Sequence, residues 1–104
     1  MKIIDFESKS WFFLSDNTDY YIDVSCNLSF VGFNMLIRLE SLELNEYHSR
    51  GSVYLRSLAK DIQQLALSKY SERNIKGPAE RLANEAVIKF LEEGRNTDIN
   101  NQNI

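Results

Sequence analysis

Apolar side chains occupy alternate positions from Tyr20 to Asn27 and again from Ser29 to Leu39. In the first run Tyr20, Ile22, Val24 and Cys26 share one face, and Tyr21, Asp23, Ser25 and Asn27 share the other. In the second, Val31, Phe33, Met35, Ile37 and Leu39 oppose Phe30, Gly32, Asn34, Leu36 and Arg38. A period of two predicts strands with one buried face. A shorter apolar run, Trp11-Phe12-Phe13-Leu14, precedes them. It stops at Ser15 to Asp19, whose short polar side chains compete for backbone bonds and favour a turn. The three runs predict an antiparallel meander with a tight connection at Asn27. Gly32 is expected to mark a bulge or a close backbone approach. Residues 1–9 are ambiguous between a short strand and loose packing.

The period then changes. Ser41 is expected to cap a short helix, Leu42 to His48, with Gly51 as its stop or hinge. Leu55, Leu58, Ala59, Ile62, Leu65 and Ala66 recur at helical spacing, and that helix is expected to end around Tyr70. Gly77-Pro78 opens a last helix with Ala79, Leu82, Ala83, Ala86, Val87, Phe90 and Leu91 as its stripe. Gly94 is its expected stop. The reading is an α+β domain over residues 1–94. A three-stranded antiparallel meander is followed by a short helix and two long amphipathic helices packed on one face of the sheet. Residues 95–104 read as a polar, flexible tail.

Composition changes this picture little. The apolar fraction is 43% and the charged fraction 26%, ordinary for a globular domain. A single cysteine, Cys26, excludes an intrachain disulfide and points to a reducing compartment. Charge meets the N-terminus too early for a signal-peptide apolar region, and no run is long enough to span a membrane, so a cytoplasmic setting is expected.

Charge adds an asymmetry. Residues 1–49 carry three basic and eight acidic side chains, and residues 50–89 carry eight basic and four acidic. The acidic part is the strand-like part and the basic part the helical one, a division that can orient a partner or a second copy of the chain.

Chemistry is sparse. One histidine and one cysteine on different elements give no metal-ligand spacing, and the acids around Asp16 lack a calcium-loop pattern. No nucleophile elbow or phosphate-cradling glycine loop occurs. Neither a cofactor nor a metal is called for, and no catalytic residue is assigned.

Three sets of residues remain. If both long helices lie on one face, the other face exposes Phe12, Tyr21, Asp23, Phe30, Leu36 and Arg38, a candidate protein interface. Lys69, Arg73, Lys76 and Arg81 cluster at the inter-helix connection as nucleic-acid candidates, although the connection is longer than a helix-turn-helix turn. Tyr47, His48 and Arg50 form a candidate ligand pocket at a helix junction. The favoured expectation is a small non-enzymatic interaction module (adaptor, inhibitor or immunity-type), able to self-associate through the sheet. A nucleic-acid-binding regulator is the alternative, and a ligand pocket the third.

Overall fold

The computed structural model describes residues 1–102, with side chains through Gly94. Four strands form one antiparallel sheet in the order β1-β2-β3-β4: β1 (Lys2–Glu7), β2 (Trp11–Ser15), β3 (Tyr20–Leu28) and β4 (Val31–Arg38). Three helices follow: α1 (Ser41–Arg50), α2 (Ser52–Leu65) and α3 (Pro78–Gln102), with a 3-10 turn at Ser71–Arg73 between the last two. The class is therefore α+β, a meander followed in sequence by helices packed on it.

The meander has four strands rather than three. Residues 2–7 hide their strand character behind a bulge: Ile3 pairs with Leu14 and Asp5 with Phe13, leaving Ile4 extra. One extra residue reverses the alternation, so Ile3 and Phe6, three apart, share a face. The expected bulge at Gly32 is absent, and Gly32 pairs in register with Asn27. The hairpin turns at Ser29 and Phe30, two residues beyond Asn27.

The helices take both faces of the sheet, not one. Trp11, Phe13, Ile22, Val24, Met35 and Ile37 pack against Leu55, Leu58, Ala59 and Ile62 of α2, with Leu44 and Tyr47 of α1 at the margin. On the opposite face Leu14, Tyr21 and Leu36 pack against Ala83 of α3, with Ala86 and Val87 beside it. The physical reason lies in the second face itself. Leu14, Tyr21 and Leu36 are apolar, and burying each fully stabilises the fold by roughly 1.5–3 kcal/mol. The small Ala83, only 1% exposed, lets the α3 backbone come close enough to cover them. Phe90 extends the cover to β1, meeting Phe6 at 4.9 Å and Phe12 at 6.0 Å between ring centroids.

Helix ends differ in detail from the sequence reading. Glu40, not Ser41, is the N-cap of α1, and Glu43 accepts the Glu40 backbone N–H at 2.7 Å. Gly51, at φ 64, separates α1 from α2. Pro78 opens α3, as the Gly-Pro pair implies, but Gly94 lies within that helix instead of ending it. Residues 95–102, read as part of a polar, flexible tail, continue the backbone of α3, and residues 103–104 lie outside the described residues.

Candidate interaction site at the β3–β4 hairpin

The longest pair of strands ends in the tightest turn. Leu28 and Val31 form the last β3–β4 pair, so only Ser29 and Phe30 connect the strands. Ser29 has φ 56, a left-handed conformation at the first position of the loop. Two-residue loops need such a residue because their backbone twist must match that of the strands. The consequence is a tip that carries its apolar side chains outward. Phe30 is fully exposed, Leu28 is 53% and Val31 64% exposed, and no charged side chain occurs anywhere from residue 24 to residue 37.

Beside the tip, the end of α2 adds to this surface. Leu67, also exposed, joins Asn27, Leu28, Phe33 and Gln63 around a shallow hollow of about 270 Å³. Gln63 Nε2 donates to Ser25 O at 2.9 Å and holds the helix end to the strand.

The edge of β4 is covered for half its length. Leu36 N–H donates to Asn74 Oδ1 at 3.0 Å, Ile75 N–H donates to Leu36 O at 2.8 Å, and Arg73 Nη2 donates to Arg38 O at 2.9 Å. Gly32 and Asn34 have the parity of Leu36, so their backbone groups also point away from β3. No hydrogen bond among the described residues takes them up.

Of the interface candidates, the structure leaves only Phe30 and Arg38 exposed. Tyr21, Asp23 and Leu36 are buried beneath α3, and Phe12 is half-buried against Phe6 and Phe90. The open aromatic face expected from two helices on one side does not exist, because α3 occupies it. Leu28, Val31, Gly32, Asn34 and Leu67 are not among the interface candidates read from the sequence. The uncharged stretch 24–37 was the available signal.

The basic candidates are engaged elsewhere. Arg73 binds the Glu43 carboxylate through both terminal nitrogens, at 2.6 and 3.1 Å, with Glu40 3.4 Å away. Lys69 lies 3.1 Å from Asp61, and Lys76 lies 3.3 Å from Glu80. Arg81 is exposed and in no ion pair among the described residues. Three of the four cations thus have carboxylates in contact, which lowers the potential they offer a phosphate backbone. The pocket candidates do not converge on one hollow, although the Tyr47 and His48 rings lie 5.8 Å apart. Tyr47 turns inward to the Phe13 ring at 4.6 Å, His48 is exposed, and Arg50 leans back on Glu46 at 3.5 Å.

Titratable groups follow their surroundings. Asp16 accepts the N–H groups of Thr18 and Asp19 at 3.0 and 2.8 Å, and these bonds hold its carboxyl below the usual range. Tyr21 donates to Asp16 Oδ2 at 2.9 Å, and burial pushes its hydroxyl up to about 12. Burial also raises the Cys26 thiol, which behaves as a small buried apolar group. Asp23 is 4% exposed beneath α3. Burial, reinforced by Glu80 and opposed by Asn34, pushes its carboxyl up to about 6.

Among the described residues no three His, Cys, Asp or Glu side chains converge as a metal site, and no helix is long and apolar enough to cross a membrane. No protein-family model, curated protein or solved structure matches the chain.

Proposed function

We propose that this protein is a non-enzymatic interaction module that docks a partner on the β3–β4 hairpin tip and the uncovered half of the β4 edge. The observation that carries this reading is the fully exposed Phe30 on a charge-free tip, next to backbone groups that no hydrogen bond among the described residues takes up. Isolated exposed apolar residues are ordinary, but Leu28, Phe30, Val31 and Leu67 lie together, and aromatic anchors of this kind carry much of the energy at protein interfaces. The lone buried thiol of Cys26 suits action in a reducing compartment such as the cytoplasm. The nucleic-acid reading has less support, since Lys69, Arg73 and Lys76 are already paired.

The test compares proteins retained from native lysate by the tagged chain with those retained by Phe30→Ser and by Val31→Lys. Both positions are exposed, so both variants keep the fold. Under this reading a specific protein survives nuclease treatment and is lost from both variants. Retention that is unchanged in both variants sinks the reading, and retention lost on nuclease treatment favours the basic residues instead.

A further inference from the structure

The two edges of the sheet are treated differently. β1 is defended: it carries the bulge at Ile4 and the charges of Lys2, Asp5 and Glu7. Bulges and charges are the ordinary means by which an edge strand avoids pairing with another chain. β4 has neither in its first half. Its second half is closed by the segment 73–75, which leaves residues 31–35 as an open and uncharged window.

From this contrast, and resting on the interaction-module reading above, we infer that the partner on this edge is a second copy of the chain. The two β4 strands pair antiparallel about a two-fold axis at Phe33. A two-fold interface sets each patch against itself, so a charge near the axis meets its own like charge. The window holds none. Identical copies therefore approach here without repulsion, although the chain as a whole has a net charge of −3.

The register follows from parity. With the axis at Phe33, Gly32 of each copy faces Asn34 of the other. Both residues have outward backbone groups, so the two pairs exchange four hydrogen bonds. The two Phe33 side chains become a non-hydrogen-bonded cross-strand pair, the closer of the two pairing types. An axis at Asn34 sets Gly32 against Leu36 of the second copy, whose backbone is already bonded to Asn74 and Ile75. An axis at Gly32 leaves Asn34 facing the turn residue Phe30. Only the Phe33 axis uses both open residues of each strand. The product is one continuous eight-stranded sheet, with Leu67 and the hairpin tip flanking the new seam.

The experiment is sedimentation equilibrium of the full chain over a wide concentration range, with Val31→Lys, Gly32→Pro and Phe33→Cys. Twice the monomer mass is expected for the wild type. Gly32→Pro removes an outward N–H without touching the β3 ladder, and Val31→Lys adds a charge to the edge. Each is expected to weaken self-association roughly tenfold or more, the loss implied by one or two net hydrogen bonds or by like-charge repulsion. Phe33→Cys, made together with Cys26→Ala because residue 33 pairs directly opposite Cys26, is expected to form a cross-linked dimer on mild oxidation, whereas Cys26→Ala alone is not. A wild type that stays monomeric throughout overturns the second copy as partner, as does a dimer indifferent to Val31→Lys and Gly32→Pro. The interaction-module reading then rests on the separate capture result with Phe30→Ser, so the two failures are distinguishable.

Discussion

The guanidinium of Arg73 binds Glu43 with two nitrogens, 2.6 and 3.1 Å from its carboxylate oxygens, and joins the start of α1 to the turn before α3. The same guanidinium donates to Arg38 O and lies over the Tyr70 ring at 5.6 Å. A residue placed among possible phosphate contacts by its sequence neighbourhood is thus a bracket between three elements. Because the pair is largely sheltered, replacing Arg73 by Ala leaves Glu43 without its partner. The expected loss is about 2–3 kcal/mol of unfolding free energy, and Arg73→Lys, which cannot repeat the planar two-nitrogen contact, loses about half as much. Urea denaturation of the two variants measures this. If both match the wild type, the bracket contributes nothing.

Asp23 gives the fold a pH dependence of predictable sign. Its carboxyl titrates near 6 in the folded protein, against an ordinary value of 3.8. Between these limits the folded chain holds a proton that the unfolded chain has released. This contribution to stability is complete below the ordinary value and is lost as pH rises through the folded one. Above pH 6 the charged carboxylate under α3 therefore destabilises the fold, by about 3 kcal/mol at most. Asp23→Asn is expected to raise the urea midpoint at neutral pH and to leave it nearly unchanged at about pH 4. An equal shift at both pH values rules out the titration of Asp23 as its cause.

Leu36, within β4, and Phe30, in the turn that precedes it, should behave oppositely. Leu36 is 5% exposed against Ala83, and Leu36→Ala is expected to lose about 2–4 kcal/mol through the cavity it leaves. Phe30 touches nothing it could destabilise by leaving, so Phe30→Ala should stay within about 0.5 kcal/mol of the wild type. Thermal unfolding followed by circular dichroism separates the two. Comparable losses at both positions contradict the placement of α3.

Ser29 pays conformational strain at φ 56. Ser29→Gly is expected to stabilise the protein by about 0.5–1 kcal/mol, because glycine adopts that region freely. Differential scanning calorimetry would register it as a higher melting temperature, and a lower one would show that the serine side chain matters more than its backbone.

How legible each element was depends on how local its cause is. The 3.6-residue stripe of α2 matches its burial, because period follows directly from backbone geometry. The alternation from Tyr20 to Cys26 marks the strand but not its burial, since Tyr21 and Asp23 on the second face are buried as well. Pro78 opens α3 for an equally local reason, its missing N–H. β1 was obscured because one bulged residue breaks the pattern. Gly94 was read as a stop because glycine ends many helices, yet a glycine inside a helix costs only about 1 kcal/mol and its neighbours can offset that. Of the candidate site, Phe30 was visible in the sequence as an aromatic on the second face of its strand. Its exposure was not, since Phe12, Tyr21 and Leu36, with the same parity, are covered or partly covered.

The periods from Trp11 onward, the polar break at Ser15 to Asp19 and the Gly-Pro start of α3 are local properties of the chain, and they suffice for an α+β chain with strands first. Which face α3 occupies was decided only by tertiary packing. An apolar stripe states that a helix must be covered, not by what. Leu14, Tyr21 and Leu36 needed burial as much as Phe13, Ile22 and Ile37 did, and the close approach allowed at Ala83 met that need on the second face. The same choice buried Asp23. The segment 73–75 closed half of the β4 edge, and the open backbone of Gly32 and Asn34 is what remained.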